Sequence, residues 1–407
     1  MKIFLCECKK MMSFRIFWII FVCLFAINGY VQIDRINDRY YTPESYRSFF
    51  SETKDMSLEE IQDYTNEMLE RQNNGEYIEF PMMLVYDMSE LSKECENYPE
   101  YLNSIKEQTN NMSAVSIWGD SDTFSYRNIQ KTPSAYENLP AEPLPLAASF
   151  GLENTFTSPI TDFMGIFLVF LAVCGIILKD REHGITFLLS SMPKGRSSLI
   201  LSKLFAVSLF ASFVAVMLFA ENLVIGGALY GIGELQRPIQ SVFGFYQCNL
   251  AVSVGEFLLL FFILKIASYL LFAMIFSLIC TVSRNNLMIY GISGAVCTIA
   301  FLCYRLIPQN SVFQLFHDWN PIKFTQTAEI LGTYQNVNLF GYPVSLKISM
   351  IIIIVITIVS VILCCIFAVE KLNHVQYQSV RLKVFHKKKI QGAWKIFLML
   401  LSFIDIE

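Results

Sequence analysis

The chain has 407 residues, of which 54% are hydrophobic and only 16% charged, and 35 of them are Phe. A soluble protein has too little interior to hide so much apolar surface, so the composition excludes an ordinary soluble enzyme and points to a helical membrane protein with several spans. The net charge of −4 hides an asymmetry: residues 31–160 hold 23 acidic and 9 basic residues, a net of −14, and the remainder is therefore +10, as expected for an acidic domain and basic loops on two sides of a bilayer.

Residues 1–15 carry Lys2, Lys9 and Lys10 among Ile3, Phe4, Leu5, Met11 and Met12. They read either as a helix along the inner membrane surface or as a disordered tail. Residues 16–33 are the first predicted span. Their basic start and apolar core also fit a signal peptide, but no A-x-A-like cleavage site follows, so an uncleaved anchor is preferred. Residues 34–160 read as an extracellular, mostly helical domain, large enough for its own core. Within it, Ser57 and Glu60 fit a capping box, and Met56, Leu58, Ile61, Tyr64 and Met68 share one helical face. Asn73-Asn74-Gly75 is expected to end that helix at a left-handed Gly. Residues 80–86 read as a short strand or a buried helix, 99–109 as a helix, and 139–146 as a Pro-rich break. Asn111-Met112-Ser113 matches a glycosylation sequon, a pattern short enough to occur by chance.

Five further spans are predicted at 161–178, 204–227, 257–283, 287–304 and 348–369. They leave a loop at 179–203 on one side, loops at 228–256 and 305–347 on the other, and a basic tail at 370–407. The 17 Lys and Arg of the inner stretches outweigh Arg237, Arg305, Lys323 and Lys347 in the two short outer loops. That bias places both termini in the cytoplasm, with the plasma membrane as the location. Trp394 and Lys395 head an apolar run at 394–406 that is too short to span. It reads as an interfacial segment or as the start of a lost span. The expected fold class is an all-α polytopic membrane protein with six transmembrane helices and a large extracellular domain between the first and second.

The chain lacks the motifs of several chemistries. There is no GxxxxGK[ST] loop to cradle a nucleotide, no HExxH and no GxSxG. All four His lie outside the predicted spans. No CxxC or Cys/His metal spacing occurs, and no cofactor or nucleic-acid partner is implied. Most of the 11 cysteines lie in apolar runs or near the N-terminus. Only Cys95 and Cys248 fall outside, and a single bridge between them stays open. A membrane-embedded hydrolase or transferase has no recognisable nucleophile–base pair to stand on. Two ionisable residues fall near or within spans, Glu221 and Lys265. They read either as structural or snorkelling groups or as a pair lining a translocation path.

The loop at 179–203 organises the rest. Seven of its residues are charged and five of those are basic. Asp180, Arg181 and Glu182 are expected to extend the preceding helix, and Gly184 to let the chain turn away. Ile185, Phe187, Leu188, Leu189 and Met192 form an apolar patch that wants a partner or the membrane surface. Pro193-Lys194-Gly195 breaks the structure, and Ser197 or Ser198 is expected to cap the next helix. Glu182 is expected to pair with Arg196. The bland reading is a tight inner hairpin whose positive charges meet anionic lipid head groups.

At these residues the chain resembles the membrane-spanning subunits of ABC-2 type transporters, Gram-positive type. The family's loop between its second and third spans carries an acidic residue and Gly, an apolar stretch, a Pro or small residue, a Gly-Arg or similar basic turn, and a Lys at the next helix. Here these positions are Glu182, Gly184, Phe187, Leu188, Leu189, Pro193, Gly195, Arg196 and Lys203. The order of spans and the large domain after the first also fit, and 124–139 resembles the end of that domain. The resemblance implies a permease subunit of an ATP-driven exporter that carries no nucleotide site of its own. It implies a separate ATP-binding subunit that receives the loop, and a homo- or heterodimer of permease subunits in the lipid bilayer. Family members export drugs, peptides, polysaccharides or lipids. The competing reading is a six-span sensor or interaction protein with an extracellular ligand-binding domain.

Overall fold

The computed structural model describes residues 2–37, 40–114, 122–182, 195–283, 285–308, 311 and 313–368. Six of its helices are long and apolar enough to cross a membrane: Arg15–Arg35, Pro159–Leu178, Ser197–Tyr230, Val254–Val282, Asn286–Leu306 and Leu346–Ala368. Each falls on a predicted span. The N-terminal stretch is helical too, with α1 at Lys2–Met12 turning at Ser13 and Phe14 into α2 at Arg15–Asn37.

The described residues of the hydrophilic stretch form six helices: α3 (Pro43–Glu52), α4 (Leu58–Asn73), α5 (Met82–Glu96), α6 (Tyr98–Ala114), α7 (Phe124–Tyr136) and α8 (Phe150–Phe156). The capping box forms at α4, where Ser57 accepts from Glu60 N–H and Glu60 from Ser57 N–H. Gly75 follows that helix at φ 78°, a conformation open to Gly at no steric cost. Phe80 and Pro81 lead into α5, whose first turns take up 82–86 with Leu84 and Val85 buried.

Helix α9 (Pro159–Val173) runs into a π-helical turn at Cys174–Leu178 and one more turn at Lys179–Glu182. Helix α10 begins at Gly195 and ends at Tyr230, with Ser197 and Ser198 inside its first turn. Its 36 residues extend about 54 Å at ~1.5 Å per residue, well beyond a ~30 Å hydrocarbon layer. The surplus runs into the helical domain, where Tyr230 is buried against Tyr46 and Phe150. Helix α11 (Val254–Val282) starts at a second capping box, Ser253 with Glu256.

Helix α12 (Asn286–Leu306) leads into three short helices: α13 (Gln314–Asp318), α14 (Pro321–Thr325) and α15 (Thr327–Gly332). An antiparallel hairpin follows, β1 (Asn336–Leu339) with β2 (Tyr342–Ser345). The helix Leu346–Ala368, here α16, completes the described chain. The hairpin is a small departure from the all-α expectation. Arg127 and Lys131 of α7 donate to the Gly341 and Pro343 carbonyls at 3.1 and 2.9 Å and tie the domain to it.

The bundle core lies among α9, α10 and α11. Phe156 stacks edge-on against Phe245, Phe257 and Phe261, which puts part of the large Phe content to use. Where α8 crosses α10 the backbones touch: a Cβ on Gly226 would lie 2.4 Å from the Gly151 carbonyl oxygen. Helices α12 and α16 sit at the edge, with only 11% and 22% of their most apolar windows buried. Apolar faces left open in this way suit lipid. Cys95 and Cys248 are both free and buried thiols, and Cys248 Sγ donates to Leu331 O at 3.4 Å.

Candidate functional site

Two clusters of buried charge sit at opposite ends of the bundle. The first joins α1 to the stems of the organising loop. Helix α1 turns Glu7 and Met11 inward and leaves Leu5 and Met12 exposed. Lys10 Nζ donates to Glu7 Oε2 at 2.5 Å, to Asp180 Oδ2 at 2.7 Å and to Ile176 O at 3.0 Å. Lys203 Nζ donates to Asp180 and, at 3.0 Å, to the same Ile176 carbonyl, and lies 3.1 Å from Glu7 Oε1. Two cations thus meet two carboxylates, and the charges balance. The π-helical turn, closed by Lys179 N–H on Cys174 O, presents Ile176 O to both ammonium groups. Such turns recur at functional sites.

Burial alone would raise the Asp180 carboxyl, but hydrogen bonds from Lys10 and Lys203 hold it below its ordinary value. Burial likewise opposes the charge on Lys10, and Asp180 with Glu7 holds that ammonium above its ordinary value. Each group therefore keeps its partner charged. Among the described residues, Asp180–Lys203 bridges the two helix ends. The side chains of Glu182 and Arg196, and all of Gly184, Phe187, Leu188, Leu189 and Pro193, lie outside the described residues. Gly195 is the first residue of α10.

The second cluster sits at the end of the bundle that carries the helical domain. Lys265 is 1% exposed. Its Nζ donates to Asp162 Oδ1 and Oδ2 at 2.9 and 3.1 Å and to Thr325 O of α14. Tyr269 donates to Asp162 Oδ1 at 3.4 Å. The ammonium also lies 4.2 Å from the Phe219 ring centroid, a favourable place for a desolvated cation. Of the readings the sequence left open, the structural one fits Lys265, which is buried and pairs with Asp162 rather than with Glu221. Asp162 stands in the first turn of α9 and faces Lys265 directly, so the ammonium has no reason to leave the interior.

Glu221 belongs to a separate polar seam among α2, α9 and α10. Asn28 Nδ2 donates to Glu221 Oε2 at 2.9 Å and to Asn222 Oδ1 at 2.7 Å. Thr161 Oγ1 donates to Asn28 Oδ1 at 2.6 Å and accepts from Asn222 and Gln32. Polar groups are costly in hydrocarbon unless they find one another, and these do. Sequence reasoning missed Glu7, Lys10, Asp162 and Asp180 as partners. A signal existed: a Lys within an apolar run calls for an acid, and both acids lie within four residues of an end of the α9 apolar run. Among the described residues, no group of three His, Cys or carboxylate side chains is placed to hold a metal.

No curated protein and no solved structure matches the chain. Residues 1–368 do match a family model described as ABC-2 family transporter protein. That match takes in every long apolar helix, both charge clusters and the organising loop, and the chain belongs to the ABC-2 transporter family.

Proposed function

We propose that the chain is the permease subunit of an ATP-driven ABC-2 exporter at the plasma membrane, working with a separate ATP-binding subunit and a second permease subunit. The family match over 1–368 carries this reading. The helical domain faces outward, and both termini and the 179–203 loop face the cytoplasm. The loop's apolar patch, centred on Phe187, Leu188 and Leu189, docks in a groove of the ATP-binding subunit.

Nucleotide-driven closure then pulls on the loop stems. The Asp180–Lys203 pair makes the feet of α9 and α10 move as one, and Glu7 with Lys10 brings α1 along. Since α10 runs unbroken from Gly195 to Tyr230, a tilt at its foot reaches the polar seam and the helical domain. Asp162–Lys265 closes the far end of the bundle by holding α9, α11 and α14 together. The seam lies on the route between these two ends.

Co-purification tests the docking. Leu188→Asp places a charge in an apolar contact, at a desolvation cost of several kcal/mol, and is expected to abolish recovery of the ATP-binding subunit while the chain still inserts. Arg196→Ala removes the partner expected for Glu182, and since surface ion pairs are worth ~0–1 kcal/mol it is expected to leave recovery intact while weakening stimulation of ATP hydrolysis. Undiminished recovery with Leu188→Asp would mean that the patch faces lipid and that the coupling role is wrong.

A further inference from the structure

The tip of the β1–β2 hairpin breaks a local rule. Its two-residue turn has Phe340 at φ 53° and Gly341 at φ 86°. Turns with positive φ at both positions are usually built from Asn-Gly or Gly-Gly. Among the described residues other than Gly, Phe340 alone stands at positive φ, and a bulky residue is strained there. The turn is nevertheless held firmly. Gly341 N–H donates to Asn338 Oδ1 at 2.8 Å and Arg127 Nη1 to the Gly341 carbonyl at 3.1 Å. The Arg127 guanidinium lies 4.3 Å from the Tyr342 ring centroid. What this scaffold holds up is an aromatic ring in the open: Phe340 is 94% exposed and Tyr342 61%. Burial within the chain gives Phe340 no compensation for its strain.

The surroundings of the tip point to what covers it. Strand β2 runs straight into α16 at Leu346. At ~3.3 Å per residue, its four residues keep the tip within about 13 Å of that span. Ile348, in the first turn of α16, is already exposed, as on the lipid face of a span. On the other side, α13 packs against both β1 and α12, and Phe313 and Phe316 are exposed there. Open aromatic rings thus gather at the ends of the two most lipid-exposed spans, and aromatic side chains collect at membrane–water interfaces. Basic groups stand among them. Arg305 in the last turn of α12 and Lys131, which donates to the Pro343 carbonyl at 2.9 Å, are both exposed. Neither has a carboxylate partner among the described residues, whereas Arg127 is shared with Asp122 at 3.1 Å. Rings and free cations together fit the anionic head groups of a lipid surface.

We propose that the β1–β2 hairpin docks on the bilayer surface. Phe340 and Tyr342 enter the interfacial layer of the leaflet at this end of the bundle, and Arg305 with the remaining N–H groups of Lys131 takes the phosphates of anionic lipids. Because Arg127 and Lys131 also bind the hairpin to α7, the contact pins the helical domain to the membrane.

The test places the full chain in nanodiscs containing lipid brominated near the head group and reads Trp emission above that of the four native Trp. Phe340→Trp is expected to emit at shorter wavelength and to be quenched several-fold more than Tyr77→Trp, an exposed site between α4 and α5. Phe340→Asn supplies the favoured Asn-Gly turn, so the hairpin is expected to persist without its anchor. Quenching of a Tyr342→Trp reporter is therefore expected to fall when Phe340→Asn is added. Exchanging phosphatidylcholine for phosphatidylglycerol is expected to raise the quenching of Phe340→Trp, and Lys131→Gln with Arg305→Gln to remove that rise. Quenching of Phe340→Trp no stronger than that of Tyr77→Trp would overturn the proposal. If iodide also failed to reach that Trp, a protein surface, such as a second copy of the chain, would be the occupant instead. A Tyr342→Trp signal unmoved by Phe340→Asn would overturn the anchoring role of Phe340. Equal quenching in the two lipids would overturn the anionic assignment.

Discussion

Lys265 and Asp162 are fully buried within the bundle, so each is the other's main compensation. Removing one member of such a pair leaves a buried charge alone and typically costs about 3–5 kcal/mol, whereas replacing both with well-packed neutral groups is often close to neutral. Asp162→Asn and Lys265→Met are each expected to lower the thermal midpoint of the purified chain sharply, and the double variant to recover most of the loss. Additive losses would mean that the two side chains act independently. Only half of this pair was legible in the sequence. Lys265 announced itself by interrupting an apolar run, but its partner is 103 residues away and stands at the second position of the predicted 161–178 span, where it reads as an acid at a helix end. The Asp180 cluster carries a pH prediction of its own. A lowered Asp180 contributes stability above its ordinary value of 3.8 and loses it as pH falls through the lower folded value. A raised Lys10 contributes below 10.5 and loses it as pH rises through the higher folded value. Amide protection factors in α1 are therefore expected to be flat from about pH 4 to 10 and to fall outside that window.

Helix α1 is held by packing as well as charge. A Cβ at Gly175, in the π-helical turn, would lie 2.5 Å from Phe14 Cδ1 and 3.2 Å from Met11 Sδ. Phe14 sits in the tight turn between α1 and α2, where the ring has little freedom to retreat. Gly175→Leu is expected to force α1 off the loop stems. Overpacking of this kind costs about 1–3 kcal/mol, and the readout is loss of amide protection in α1 with α2 unchanged. At this scale the sequence was informative where a physical rule is local. The Ser57–Glu60 capping box and the Gly75 stop both formed as expected. Helix ends were less legible: α11 begins at Val254 rather than 257 because Ser253 and Glu256 cap it outside the apolar run. The stretch 305–347 read as a plain loop. Its helices of five or six residues are too short to show a period, and the hairpin is stabilised by α7 from far along the chain. The docking patch of the 179–203 loop rests on sequence and family resemblance alone, since its side chains lie outside the described residues.

For the whole molecule, sidedness decides whether the two charge clusters stand where the permease reading needs them. The acidic residues gather in the helical domain and the basic ones in the loop at the other end of α9 and α10, and the positive-inside rule predicts an orientation with that loop in the cytoplasm. Two introduced thiols read this out. Ser134 of α7 is exposed on the helical domain, and Ser190 belongs to the organising loop. The chain's native thiols supply the control. Cys23 and Cys364 are exposed on apolar helices, and Cys6 is exposed on α1 beside the loop stems, so the unaltered chain is expected to resist a membrane-impermeant maleimide in intact cells. Ser134→Cys is expected to react under the same conditions, and Ser190→Cys only after the cells are permeabilised. Labelling of Ser190→Cys in intact cells would turn the molecule over. The Glu7–Lys10–Asp180–Lys203 cluster would then face outward, out of reach of any cytoplasmic ATP-binding subunit, and α10 would carry no motion to the helical domain.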